Sequence, residues 1–352
     1  MAAYISFQPS DFFSTKLYTG TGSSNAITGV GFQPDFTWIK DRVSANSNQL
    51  VDAVRGVSKI VFSDDVAAEV TDAAGLTAFG AAGLTAFGAD GFTVNTRSGM
   101  NTDTNTYVSW NWKAGTTSGL TGGTITPSAY SINTTSGFSA IAYTGTTTGG
   151  ETIPHGLGVA PDMVIVKKLS TTSDWKVYHS GVDATAPQDY ALTLNTTAAR
   201  DDSVGPWYDT APTSTLVTLG TDNNSDSVTY IAYCFASIKG YSKLGAYTGN
   251  GNADGSFVYT GFRPSFVMVK KTAGESWAII DDKRLGYNVA NYQLFANATS
   301  IDTTETRADI VSNGFKVRTT NGEYNTDTGT YVYAAFAEFP IVSSNNVPGT
   351  AR

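Results

Sequence analysis

Apolar positions recur every second residue in three separated stretches. Val108, Trp110 and Trp112 share one parity, as do Ile231, Tyr233 and Phe235, and again Val332, Ala334 and Phe336. A two-residue period is the signature of a strand with one buried face. Two further runs, residues 163–166 and 266–269, are apolar at every position. A strand apolar on both faces is covered on both faces, whereas an isolated two-layer sandwich leaves one face wet. The pattern therefore predicts a cover supplied by a loop, a neighbouring domain or another subunit, with Met163, Ile165, Phe266 and Met268 on the packing surface. Asp-Gly and Asn-Gly pairs at residues 90, 250, 254, 313 and 321 predict tight turns, because such turns need positive φ. Residues 313–325 read as a hairpin with a turn signal at each end.

Three anchors recur in the same order. The first is Tyr-Thr-Gly, at Tyr18, Tyr143 and Tyr247; the second is a Gly/Pro turn entering a strand, GFQPDFTWIK from Gly31, GVAPDMVIVKK from Gly158 and GFRPSFVMVKK from Gly261. The third is the aromatic strand that begins TYVSWNWK at Thr106, TYIAYCFAS at Thr229 and TYVYAAFAE at Thr330. From anchor Tyr to turn Pro is 16, 18 and 17 residues, and from that Pro to the closing Tyr 73, 69 and 67. The first copy holds a tandem octapeptide, AAGLTAFG at 73–80 and 81–88, which reads as a loop insertion at a surface tip.

The predicted class is thus all-β, with three tandem related antiparallel β-sandwich (jelly-roll-like) domains. Their predicted bounds are 1–115, 128–238 and 239–341, with a flexible Gly/Thr/Ser linker at 116–127 and a tail at 342–352. The second and third domains, joined by only a few residues, are expected to hold a fixed relation.

Composition sharpens this. Charged residues are 15% and aromatics 12%, with 36 Gly, a balance that favours pleated sheet and turns. The formal net charge of −8 argues against a nucleic-acid partner. Lys and Arg are scattered, in no run longer than Lys167-Lys168 or Lys270-Lys271. The single cysteine, Cys234, allows no internal disulfide and sits in an apolar run as a buried small side chain. Residues 1–13 lack a basic start and a long apolar core, so no secretory leader or membrane insertion is expected and the chain should fold in a cytoplasm.

Candidate chemistry is thin. His155 and His179 are the only histidines, and neither lies in a nucleophile motif. Paired carboxylates could cleave a glycan, but Glu69, Glu151, Glu275, Glu305, Glu323 and Glu338 fall at no repeated position. Asp201-Asp202 and Asp281-Asp282 read as turn or surface acids. The stretch from Asp222 begins like a calcium loop but carries Ser227 and Tyr233 where Gly and Glu belong, so a polar turn is the expectation, although a calcium ion near Asp222 stays open. The loops beginning at Asn101 and Asn325 are expected to form Asx turns. No catalytic residue, cofactor or metal is predicted. For ligand binding the candidates are Trp207-Tyr208, flanked as if in an exposed loop, and Trp175 near Tyr178, since planar rings stack on sugar faces.

Residues FQPSDFFSTKLYTGTGSS, TGVGFQPDFTWIKDR and NTYVSWNWKAG, with GLGVAPDMVIVKK and GFRPSFVMVKK farther on, resemble repeated modules of virion proteins from marine tailed phages, cyanophages especially. The resemblance covers nearly the whole chain and implies a non-enzymatic structural protein on the particle exterior. It implies no catalytic residue. A tail-associated fibre or receptor-binding protein is the role favoured. A capsid decoration protein and a polysaccharide depolymerase are the alternatives. The implied partners are other virion proteins, further copies of the chain as a homo-oligomer such as a trimer, and a host surface glycan or protein.

Overall fold

The structure, a computed structural model, describes residues 5–72, 76–79, 90–284 and 290–339. It is nearly all β, built from antiparallel strands in several sheets. Among the described residues no helix is long and apolar enough to cross a membrane.

One strand order recurs in three successive segments. In the first, a large sheet runs Phe13–Thr19, Thr106–Trp112, Phe36–Asp41, Gln49–Asp52, Lys59–Phe62 and Val70–Thr71 from edge to edge. The second repeats it with Phe138–Thr144, Thr229–Phe235, Met163–Lys168, Lys176–His179, Tyr190–Thr193 and Asp201–Asp202, and adds Ala129–Asn133 at one edge. The third follows with Ser242–Thr248, Thr330–Phe336, Phe266–Lys271, Ala278–Asp281, Ala290–Phe295 and Thr303–Val311. A short antiparallel pair completes each segment: Asn25–Ile27 with Phe92–Val94 and Glu151–Pro154 with Leu216–Leu219 in sheets of their own, and Phe257–Tyr259 with Gly314–Val317 as a continuation of the third large sheet beyond Thr303–Val311.

The register is conserved to the residue. Tyr18 faces Tyr107, Tyr143 faces Tyr230 and Tyr247 faces Tyr331. Each pair stacks, with ring centroids 5.1, 4.9 and 5.0 Å apart, an arrangement worth about 0.5–1.5 kcal/mol beyond burial alone. The glycine that follows each anchor tyrosine is equally constrained. A Cβ on Gly20, Gly145 or Gly249 would collide with the carbonyl oxygen of Thr102, Ser225 or Thr326, so Tyr-Thr-Gly marks a close approach of two backbones.

Strand alternation gives each large sheet two buried faces. One packs on the segment's own short strand pair: Val164, Val166 and Cys234 join Ile153, Val217 and Leu219 in the second segment, and Val267, Val269 and Ala335 join Val258, Phe315 and Val317 in the third. The other face belongs to a core common to all three segments. Phe36, Trp110 and Trp112 meet Met163, Ile165, Tyr233 and Phe235, and both groups meet Phe266, Met268 and Phe336. Neighbouring segments thus supply the cover that the doubly apolar runs require. Phe36 stacks on Tyr233 at 4.4 Å, Phe13 on Phe336 at 5.5 Å, and Phe235 meets Phe336 edge-on at 5.7 Å. The three segments close a ring.

Several local readings are corrected. The Gly/Thr/Ser stretch does not run free: Thr116 bridges to Ile132, the Thr124 and Ile125 amides donate to the Thr152 carbonyl, and Ile125 is buried. Residues 313–325 are not one hairpin. The tight turn falls at residues 312–313, between Val311 and Gly314, and Asn321 instead caps a short helix, Gly322–Asn325, accepting from the Glu323 amide. Asparagine serves turn and helix cap alike. Of the octapeptide repeat, Leu76–Phe79 forms a strand paired with Phe92–Val94; the rest lies outside the described residues, as does the tail at 342–352.

Candidate functional site

Among the described residues, a set of buried polar side chains lies at the three seams and repeats around the ring. The residue just before the fourth strand of each large sheet reaches across to a neighbour. Trp175 Nε1 donates to the carbonyl of Phe62 at 2.8 Å, Trp277 Nε1 to that of Thr193 at 2.9 Å, and Asn48 Nδ2 to that of Phe295 at 3.1 Å. Each acceptor is the final residue of its strand. Backbone bonds run beside them, from the Glu69 amide to Leu169, from Arg200 to Thr272 and from Asp302 to Arg42, at 2.7–3.0 Å.

A second set lies nearer the centre. The Tyr233 hydroxyl donates to Asp52 at 2.6 Å, Trp110 Nε1 donates to Asp281 at 3.1 Å, and His179 Nε2 donates to the Tyr333 carbonyl at 3.1 Å. Asp52, His179 and Asp281 each end the equivalent strand. Both aspartates are held by an arginine three residues on, Arg55 and Arg284, with fully buried or nearly buried side chains. The second segment has the neutral pair His179 and Val182 there. Gly181 N donates to His179 Nδ1 at 3.0 Å, which leaves the proton on Nε2. Burial pulls the imidazole down to about 4, so it sits neutral in the seam.

Three lysines form a third set. Lys40, Lys167 and Lys270 occupy the same position of the post-proline strands, are buried, and donate to the carbonyls of Asn46, Ser173 and Glu275. Lys40 also donates across a seam to the Thr299 carbonyl at 2.8 Å, and Lys167 to that of Val66 at 2.9 Å. Burial lowers all three to about 8. Sequence reading passed over them as scattered cations; the signal was the shared Lys six residues past each turn proline.

The predicted ligand-binding residues are placed differently from expectation. Trp207 is 1% exposed and meets Tyr178, itself buried, at 6.0 Å. Its loop continues from a short helix, Val204–Trp207, whose turn folds the indole inward. Trp175 is spent on the first seam. Tyr208 alone remains open, 48% exposed, in a left-handed conformation with its ring over Gly149 and Gly150. Met163, Ile165, Phe266 and Met268 all line the common core.

The remaining candidates also take structural places. His155 is buried, with Nε2 on the Thr213 carbonyl and Nδ1 accepting from the Leu157 amide. Asp281-Asp282 is buried rather than a surface pair, while Asp201-Asp202 is exposed. Asn101, Asn224 and Asn325 form no simple Asx turns: each is buried and accepts from the amide one residue beyond the Tyr-Thr-Gly glycine, Thr21, Thr146 and Asn250. Asn224 belongs to the calcium-like stretch, so its amide serves this clamp. Among the described residues no group of three or more His, Cys, Asp or Glu gathers in metal-binding range.

Residues 8–340 match a family described as a domain of unknown function, DUF7483. The chain belongs to that family. The match runs from the first segment's opening residues to the end of the third, so the family unit is the whole ring. No curated protein and no solved structure matches this sequence.

Proposed function

We propose that this chain is a non-enzymatic structural protein of a tailed-phage particle, displayed on the exterior, with tail-associated adhesion as its role. Its segments are read as three antiparallel β-sandwich, jelly-roll-like modules closed about a pseudo-threefold axis. The observation that carries the reading is the fate of the reactive side chains. Histidine, lysine, aspartate and tryptophan, the usual material of a catalytic centre, serve here in bonds between modules, as His179, Lys167, Asp52 and Trp175 do. A rigid block held by packing and buried hydrogen bonds suits an exposed particle component, where persistence is the requirement. The resemblance of its turns and strands to phage virion modules supports the same reading.

One observation favours a second role, decoration of the capsid. The apolar faces that would otherwise call for a homotrimer are covered within a single chain, so one copy can sit alone on a head lattice. Copy number in purified particles, by quantitative mass spectrometry, separates the two. A small multiple of three or six supports the tail; hundreds of copies support the head; absence from particles overturns both. Release of reducing sugar from host polysaccharide by the purified chain would replace the structural reading with a depolymerase.

A further inference from the structure

Because the three modules share register, each supplies a control for the others. In the first strand of each short pair, Ile27, Ile153 and Val258 are buried at equivalent sites, opposite Phe92, Val217 and Phe315. The positions on either side differ among the modules. The first module has the exposed Ala26 and Thr28 there, the second the half-buried Thr152 and the buried Pro154, and the third Phe257 and Tyr259. The fold therefore asks for nothing large at these places. Yet Phe257 is 49% and Tyr259 56% exposed, and rings left in water without a packing duty mark a contact surface.

Neighbouring groups give the surface its chemistry. Lys243 donates to the Tyr259 carbonyl at 2.9 Å and places its ammonium 5.3 Å from the centre of the Tyr259 ring. Lys316 stands directly opposite Phe257 across the strand pair, with Arg318 two residues on. Asp254 pairs with Lys316 at 2.8 Å and is itself 78% exposed, and Asp309 lies 3.4 Å from Arg318. Opposite Tyr259 is Gly314, which leaves that side of the ring uncovered. Three cations against two acids leave this patch net positive on a chain of net charge −8. Salt screens the more distant acids beyond about 8 Å at physiological ionic strength.

We propose that the Phe257–Tyr259 strand is a saccharide-binding platform for an acidic polysaccharide, with pyranose faces on the two rings and carboxylates toward Lys243 and Lys316. The proposal rests on the adhesive reading above and names the class of receptor. Aromatic faces match the C–H faces of a sugar ring, and flanking ammonium groups select acidic over neutral chains.

The test is affinity electrophoresis of the purified full chain in gels holding polygalacturonate, with dextran as the neutral control. The wild type should be retarded by polygalacturonate alone. The double variant Phe257→Ala, Tyr259→Thr carries the first module's own residues, so it should keep the wild-type melting temperature while losing about tenfold or more in affinity. Lys243→Gln should weaken retardation and flatten its salt dependence. No retardation by polygalacturonate, equal retardation by dextran, or unchanged retardation of the double variant overturns the proposal. So does a concentration-dependent dimer that the double variant abolishes, which would assign the patch to a second copy. Particle copy number is measured independently, so a chain present on virions but indifferent to polygalacturonate sinks this platform and spares the virion reading.

Discussion

Trp175 donates its indole N–H to the carbonyl of Phe62 at 2.8 Å, and so ties the second module to the first. Trp175→Phe keeps most of the packing and removes the donor. Unfolding free energy should fall by about 2 kcal/mol, read from urea denaturation with an unchanged slope. Trp277→Phe at the next seam should behave alike; no loss at either seam would deny these bonds a share in closing the ring.

Asp281 accepts from Trp110 Nε1 and from Arg284 Nε, at 3.1 and 2.7 Å. Asp281→Ala leaves the fully buried Arg284 guanidinium with Asp302, at 2.7 Å, as its remaining acid partner and should cost about 3 kcal/mol. Asp201→Ala, an exposed acid by contrast, should shift stability by less than about 0.5 kcal/mol. Denaturation midpoints of the two variants check the difference.

His179 gives a pH dependence of defined sign. Its folded value, about 4, lies below the ordinary 6.5, so the unfolded chain takes up the proton first as pH falls. Its contribution to stability is whole above about 6.5 and is lost between about 6.5 and 4, by about 3 kcal/mol in all. His179→Gln should remove that slope. Parallel acid-side curves for wild type and variant would refute a neutral, buried imidazole.

The seam lysines act at the other end of the scale. Lys167 titrates near 8 when folded against 10.5 ordinarily, so between these values the unfolded chain holds more protons and stability rises with pH. Measured against Lys167→Met, the wild type should gain as pH climbs from 8 to 10. A constant difference across that range would contradict the lowered value.

A common core predicts a common transition. With Trp112, Phe235 and Phe336 in mutual contact across three modules, calorimetry should show one endotherm with matching calorimetric and van't Hoff enthalpies. Three separable endotherms would mean modules that stand alone.

Much of the architecture was legible in the sequence, for a physical reason. Strand alternation is set by local geometry, so the face shared by Val108, Trp110 and Trp112 could be read directly, and it is the face turned to the common core. The apolar character of residues 163–166 announced a second cover, but not its source, because that depends on how distant segments meet. Trp207 misled for a similar reason: its Gly-Pro flank looks like an exposed loop, whereas one helical turn carries the ring inside. The Asn101 and Asn325 loops were read as self-contained turns because local sequence does not show the Tyr-Thr-Gly loop some 75–80 residues away that each side chain holds. The seam residues were hardest to see, since Asp52, His179 and Asp281 share a place in the ring but not a chemistry.

Ring closure also dictates an order of events during synthesis. The first module's inner wall, with Trp110 and Phe13, is completed by Phe266 and Phe336, and Phe336 lies in a strand made after both earlier modules. Until then the nascent chain carries an apolar wall only partly covered, by Phe36 against Tyr233, and the strand that brings Phe336 closes it.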